Sequence, residues 1–305
     1  MLDLFRPFKP MEPKIFPEPF DSEDYGFQIK WDGTRILAHI YNNKIILFNR
    51  KKNERTLQYP EITDQLSSIF NNKQVILDGE IIYLSHGKPN FQELMRRDKA
   101  KDAGTIKLLL NKMPVTYIVF DILLLDGKEL QTLTFKERDE ILKNTLIPKS
   151  NVITTDTFPM KGKALFKVAS AHNLEGIVAK KFNSPYQLAS KTANWLKIKN
   201  WRTMNVTIGG YICQGNDLRS LLIGTKENEA LIYQGKAAAG LDQKQLKDLF
   251  EKLHEQQTKS SPFHHYPKLK EKIQWVNPLI ELVVEYLEFT EEGYLRQPVI
   301  KKILY

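Results

Sequence analysis

The stretch FQIKWDGTR, residues 27–35, sets a lysine, an acid, a glycine and an arginine close together. Phe27, Ile29 and Trp31 alternate with Gln28, Lys30 and Asp32, which predicts a strand whose apolar set faces a core. The other face presents Lys30 beside an amide and an acid, and Arg35 follows. Most strand lysines only face water. An amine on a rigid strand can also attack an electrophile once it sheds its proton. Four more polar signals interrupt apolar runs: Asp78-Gly79-Glu80 in QVILDGEIIYL, Phe120-Asp121 in YIVFDILLL, Glu175-Gly176 opening EGIVAKK, and the lysines of WLKIK. Lys197 and Lys199 share one face of their strand, and two ammonium groups so placed repel unless an anion lies between them. As a set, these residues offer an amine that could be a nucleophile and cations that could hold phosphates. Two glutamates could hold a hard divalent cation or a ribose, and an aromatic ring could stack on a base. That is equipment for phosphoryl transfer, in which positioning and charge neutralisation supply most of the catalysis. Neither GxxxxGK[ST] nor GxGxxG occurs, which disfavours the common nucleotide-binding folds.

The elements that must position these residues follow from pattern. TRILAHIYNNKIILFNR predicts two strands around an Asn-Asn turn. Residues 74–84, 115–125, 175–182 and 194–200 read as strands. FQELMRRDKA, FKERDEILKNTL and KALFKVASAHN read as helices. Pro7, Pro10, Pro13, Pro17 and Pro19 forbid a regular helix and predict an extended lead-in. After Trp201 the texture changes to the short strands VTIGGYICQ, SLLIGTKE and EALIYQGKA, the amphipathic helix LDQKQLKDLFEKLHEQQ, and a last strand in LIELVVEYLEFT. Many short strands with one helix suggest a small β-barrel of the oligonucleotide-binding type. The fold class is therefore α+β, with a boundary near residue 203: 1–203 and 204–305.

Composition bounds the partners. With 45 basic and 36 acidic side chains, the net charge is +9 and the pI about 9.3, a balance that favours polyanions such as nucleic acid. The single cysteine, Cys213, rules out an internal disulfide and a cysteine-rich zinc site. The N-terminal residues hold no apolar run suited to export and no segment nears membrane-spanning length, so a cytoplasmic protein without a membrane partner is expected.

The order KWDGTR, Asn49-Arg50, LDGE, FD, EGIVAKK, WLKIK between residues 28 and 199 resembles the motif series of the covalent nucleotidyltransferases: ATP-dependent DNA ligases, RNA ligases and capping enzymes. The later stretches VTIGGYICQ, SLLIGTKE, YQGKAAAGL and WVNPLIELVVEYLEFTEEGYLRQP resemble the oligonucleotide-binding domain of bacterial end-joining DNA ligases. The resemblance thus covers nearly the whole chain. It implies a nucleotidyltransferase (adenylation) domain of antiparallel sheets flanked by helices, followed by an oligonucleotide-binding barrel. It also implies a minimal DNA ligase with no helical DNA-binding domain ahead of KWDGTR.

Carried over by residue, the resemblance makes Lys30 the nucleophile that accepts AMP. Arg35 and Arg50 match contacts to ribose and 5′-phosphate, Lys197 and Lys199 contacts to phosphate, and Phe120 the ring on adenine. Gln28 matches the position that reads the base edge, with Ile29 an ATP contact beside it; relatives have an acid where this chain has the amide. Glu80 matches a ribose or metal ligand and Glu175 a metal-linked acid. ATP and magnesium, with manganese as a substitute, are the implied cofactors. Nicked double-stranded DNA is the implied substrate of a monomer, with Ku and a repair polymerase as partners on family grounds alone. Lys191, Arg202, Arg296, Lys301 and Lys302 are candidate DNA contacts. The end, LRQPVIKKILY, lacks the glycine of the group's last basic motif, so Lys301 and Lys302 either replace that motif or leave the first step slow. A capping guanylyltransferase, an RNA ligase and a non-catalytic DNA-binding protein are the rival readings. The NAD-dependent ligases are disfavoured, because their four-cysteine zinc module cannot form here.

Overall fold

The computed structural model describes residues 4–42, 44–215, 217–228, 230–238 and 240–304. Asn43 of the Asn-Asn turn lies outside them. The chain forms two compact units, Met1–Asn200 and Trp201–Tyr305. The division falls three residues before the boundary expected at 203, because one continuous strand, Arg202–Gln214, already belongs to the second unit.

The first unit holds two sheets. The five-stranded sheet runs in the order Glu12–Ile15, Lys191–Lys199, Gly176–Lys181, Tyr25–Lys30, Phe158–Pro159. The larger sheet runs Lys44–Asn49, Thr34–Tyr41, Gln74–Ser85, Val115–Leu125, Lys128–Glu129, with two short strands added at its side. Pairing is antiparallel except where Glu12–Ile15 joins Lys191–Lys199 and Val152–Thr154 joins Val115–Leu125. The proline-rich lead-in is extended as expected, and it supplies the first of those two parallel edges.

Alternation explains the layers. In the five-stranded sheet Phe27, Ile177, Ala179, Leu196 and Ile198 share a core with Leu165 and Ala169 of the helix Gly162–Ala171. Their neighbours Gln28, Lys30, Val178, Lys180, Lys197 and Lys199 must therefore point the other way. In the larger sheet Ile36, Ala38 and Ile40 pack with Ile62, Leu66 and Leu142 from helices on the outside. Leu37 and Ile76 meet Tyr186 and Trp195 on the inside. Polar residues projecting from the inner faces thus share the space between the sheets.

The helices Phe91–Asp98, Phe135–Thr145 and Gly162–Ala171 lie where the sequence pattern puts them. Thr134 and Glu137 form a capping box at the second of these, satisfying two backbone N–H groups. Two helices were not expected. Pro60–Ile69 starts with proline in its first turn, and Asp102 caps Ala103–Lys112 by accepting from the Thr105 N–H. Each buries only one or two side chains, so its periodic signal is weak.

The second unit is a seven-stranded sheet built on Arg202–Gln214, which pairs with Asp217–Glu227, Gln274–Val276 and Glu281–Tyr286. Val206, Ile208, Leu221, Ile223, Leu282 and Ile300 share its core with Leu249 and Leu253 of the helix Gln243–Glu255. The strand in LIELVVEYLEFT is not the last: Val299–Leu304 pairs with it, and a bridge from Val299 to Ala238 ties that end back toward the other edge. Lys301 and Lys302, read from sequence as a tail motif, stand exposed on this strand, with Lys301 Nζ 3.2 Å from Glu285.

Candidate active site

Lys30 ends its strand, and the register sets Gly176 directly opposite it and Lys199 opposite Gly176. Glu175 thus enters the row between two lysines. Lys30 Nζ donates to Glu175 Oε2 at 2.5 Å, and Lys199 Nζ lies 3.8 Å from Oε1. Gly176 makes this approach possible. Its φ is +138°, and a Cβ there would sit 2.0 Å from the Ile198 carbonyl oxygen. One step along, Gln28, Val178 and Lys197 form the next row. Burial lowers the Lys197 pKa, and Lys199, Lys30 and Lys191 lower it further. Lys30, Lys197 and Lys199 thus face one side of the sheet across these two rows, a concentration of positive charge that an anion would neutralise.

The larger sheet supplies the opposite wall. Arg35 pairs in register with Glu80, but its guanidinium forks onto Asp78, with Nε to Oδ1 at 2.9 Å and Nη2 to Oδ2 at 2.6 Å. Tyr186 donates to Asp78 Oδ2 at 2.6 Å and accepts from Arg35 Nη2 at 3.1 Å. Burial would lower the Arg35 pKa, but Asp78 and Tyr186 outweigh it, so the cation is locked on. Among the described residues its Nη1 has no acceptor, which leaves one edge of the fork for a ligand. Glu80 remains half-buried, and among the described residues it has no such partner. Burial pushes its pKa up to about 8, Lys30 and Arg35 pull against this, and Glu175 and Asp32 add to it.

Phe120 projects half-buried from Val115–Leu125. Its ring has the Arg35 guanidinium 5.3 Å from its centroid and Trp195 edge-on at 6.1 Å. Lys180, 2% exposed, donates to the Phe120 carbonyl at 2.8 Å. Its Nζ lies 4.2 Å from the Trp195 centroid, 4.5 Å from Phe120 and 4.8 Å from Phe135. Burial drops its pKa to about 7 against the pull of Asp121, Asp78 and Asp139. Asp121, next to Phe120, holds Arg138 by two bonds of 2.7 and 3.0 Å, with both side chains fully buried.

Lys30, Gln28, Arg35, Glu80, Phe120, Glu175, Lys197 and Lys199 therefore face one space. Ile29 does not: it packs with the helix-side core behind the sheet. Strand alternation turns its side chain away from Gln28 and Lys30, so a contact from Ile29 to a nucleotide on this face falls to its backbone. Arg50 stands apart, exposed, with its guanidinium 3.7 Å from Glu12. Lys191 is exposed at the start of its strand. Arg202 and Arg296 are half-buried in the second unit, where Arg296 bonds Glu288 at 2.6 Å. Sequence reasoning assigned no role to Asp78, Lys180 or Trp195, although all three lie inside the quoted motifs. Tyr186 carried no sequence signal, since it sits outside any periodic segment.

A hard divalent cation fits the donor set. The space offers oxygen ligands from two carboxylates, and no cluster of three or more acidic, histidine or cysteine residues suited to a metal occurs among the described residues. Magnesium characteristically takes one or two carboxylates and completes its shell with water and substrate phosphates.

The family model of the ATP dependent DNA ligase domain matches residues 10–199, and that of the ATP dependent DNA ligase C terminal region matches 214–304. The multifunctional non-homologous end joining DNA repair protein LigD of Mycobacterium tuberculosis is 31% identical over 283 residues, 90% of this chain and 35% of that protein. The chain thus spans about a third of the length of that relative. The SPbeta prophage-derived DNA ligase-like protein LigB of Bacillus subtilis is 34% identical over 203 residues, 66% of this chain and 71% of that protein. Among solved structures, mycobacterial DNA ligase D complexed with ATP and MES is 28% identical, with a TM-score of 0.58 over 97% of this chain and 95% of the other.

Proposed function

The chain belongs to the ATP-dependent DNA ligase family, and from that premise we propose that it seals 5′-phosphate/3′-hydroxyl nicks in duplex DNA through an AMP carried on Lys30. The observation that carries the reading is the meeting of Lys30, Glu175 and Lys199 in one row, with Lys197 in the next. In the first step Lys30 Nζ attacks the α-phosphorus of ATP. An N–P bond forms, the P–O bond to pyrophosphate breaks, and pyrophosphate leaves with the electron pair. The proton that Nζ sheds has Glu175 Oε2 within hydrogen-bond reach. Lys197 and Lys199 hold the phosphate whose charge grows in the transition state. The free Nη1 edge of Arg35 serves the ribose, Phe120 stacks on adenine, and Gln28 meets the base edge. Arg50 is assigned a contact on family likeness alone.

Two transfers follow. An oxygen of the nick's 5′-phosphate attacks the AMP phosphorus, and Lys30 Nζ leaves with the electron pair and takes up a proton. The 3′-hydroxyl oxygen, shedding its proton, then attacks the phosphorus of that 5′-phosphate, and AMP leaves with the electron pair. Glu80 and Glu175 would hold magnesium, or manganese in its place; when bound, the ion neutralises phosphate oxygens. Lys191, Arg202, Arg296, Lys301 and Lys302 would contact DNA phosphates. The setting is DNA repair, with Ku and a repair polymerase as partners; the name of the mycobacterial relative supports end joining. Among the described residues no helix is long and apolar enough to cross a membrane.

The test is label transfer from α-labelled ATP or GTP to denatured protein. ATP alone should label the wild type, whereas GTP labelling would favour a capping enzyme. Lys30→Ala should abolish labelling but still seal a chemically pre-adenylated nick detectably, because only the first two steps use the amine as carrier. Normal labelling of that variant would sink the assignment.

A further inference from the structure

Gln28 is a buried amide, 2% exposed, on the same strand face as Lys30 and two residues from it. Its Nε2 donates to Thr157 Oγ1 at 2.9 Å, and Thr157 Oγ1 donates to Asp139 Oδ1 at 3.0 Å. The strand Phe158–Pro159 pairs Phe158 with Phe27, which brings Thr157 beside Gln28. Asp139 lies on the helix Phe135–Thr145 and accepts at Oδ2 from Lys143, one turn on, at 2.6 Å.

The direction of this chain is set by proton count. A carboxylate only accepts, so the single Thr157 hydroxyl proton goes to Asp139. The Thr157 oxygen must then accept from Gln28, and only the NH2 end of the amide can donate. The carbonyl Oε1 is thereby turned away from Thr157. Among the described residues it accepts no hydrogen bond, although it belongs to a buried side chain beside the nucleophile.

We propose that Thr157 and Asp139 are specificity-determining positioning residues: they hold the Gln28 amide with its carbonyl toward the nucleotide base, so that it accepts from the amino group of adenine and opposes the carbonyl of guanine. This rests on the nucleotide reading of the Lys30 face given above. Adenine carries a donor where guanine carries an acceptor at the same ring position, so the orientation of one amide decides between them. An amide free to rotate would serve either base equally. A buried amide fixed from behind serves one and leaves the other with two acceptors face to face, an unmet polar contact. The relay supplies what a carboxylate at this position would have by itself, an acceptor that cannot turn into a donor.

The polarity can be reversed. In Asp139→Asn, Lys143 keeps the side-chain oxygen, so the new NH2 faces Thr157 and donates to its oxygen. The Thr157 hydroxyl is then free to donate to Gln28, and the amide turns its NH2 toward the base. The experiment measures Lys30 labelling rates with α-labelled ATP and GTP for the wild type, Thr157→Val, Thr157→Ser and Asp139→Asn. Thermal unfolding checks that each variant is folded, and Thr157→Ala replaces the valine variant if crowding unfolds it. Thr157→Val should lower the ATP-to-GTP ratio about tenfold to a hundredfold. Thr157→Ser should keep the wild-type ratio, and Asp139→Asn should shift it further toward GTP than Thr157→Val does. Unchanged ratios in Thr157→Val and Asp139→Asn overturn the relay, and so does a fall equal for both nucleotides. A wild type labelled by neither nucleotide overturns the reading of Lys30 itself, which is a separate failure.

Discussion

Lys180 shows how much one buried amine can depend on its surroundings. It lies under Phe120, Trp195 and Phe135, and its pKa falls to about 7 because burial penalises the ammonium more than nearby acids favour it. The unfolded chain, with an ordinary lysine near 10.5, therefore binds more protons than the folded chain between pH 7 and 10.5. Stability rises with pH wherever the unfolded state binds the excess, so this residue should add about 2 kcal/mol between pH 7 and pH 9. Lys180→Met removes the titrating group and should lose that gain. Urea unfolding of both proteins at the two pH values measures the difference, and parallel slopes would mean that another group titrates there. Asp78 makes a related point. It is the acid nearest in sequence to Glu80, yet its lone pairs are spent on Arg35 and Tyr186, while Glu80 is left for a ligand.

Between elements, the decisive contact joins the helix Phe135–Thr145 to the strand Val115–Leu125. Arg138 and Asp121 are fully buried, and Arg138 Nη1 also donates to the carbonyls of Leu133 and Ser184. Removing one partner of such a pair leaves an uncompensated buried charge, at a cost of about 3–5 kcal/mol. Asp121→Asn should lower stability by that order, read as a shift of the denaturant midpoint at constant slope. A loss below about 1 kcal/mol would show that the pair is not a fixed point of the fold. The same strand carries Phe120, and the same helix carries Asp139, so this joint also fixes where those two residues stand.

At the scale of the whole molecule, a net charge of +9 favours a polyanionic partner. Each neutralised phosphate contributes about −0.9 to the slope of log K against log salt, so five or six contacts give roughly −5. Duplex binding should then fall on the order of a thousandfold between about 50 and 200 mM salt. Lysine labelling should change far less, because Lys199 and Glu175 sit in a mostly buried row where screening is weak. Titrating salt in a nick-binding assay and a labelling assay separates the two. Equal sensitivity, or a flat binding curve, would contradict this account of DNA binding.

Period-two alternation in FQIKWDGTR, EGIVAKK and WLKIK determined by itself which side chains leave the core, so Lys30 on its strand, and Lys197 with Lys199 on theirs, could be read as turned from the core without coordinates. The strands at 74–84 and 115–125 and three flanking helices were legible for the same reason: one buried face forces one period. The class of chemistry followed from residue types on those faces. What alternation cannot give is the partner across a gap. Glu175 lies 145 positions from Lys30, and only sheet register and the open backbone at Gly176 bring them into contact. Nor could it divide the work within Asp78-Gly79-Glu80, since both acids share a face and only the placement of Arg35 and Tyr186 separates them. Thr157 and Asp139 left no trace in the pattern at all. One stands at a two-residue edge strand and the other on a helix, so only tertiary structure could join them to Gln28.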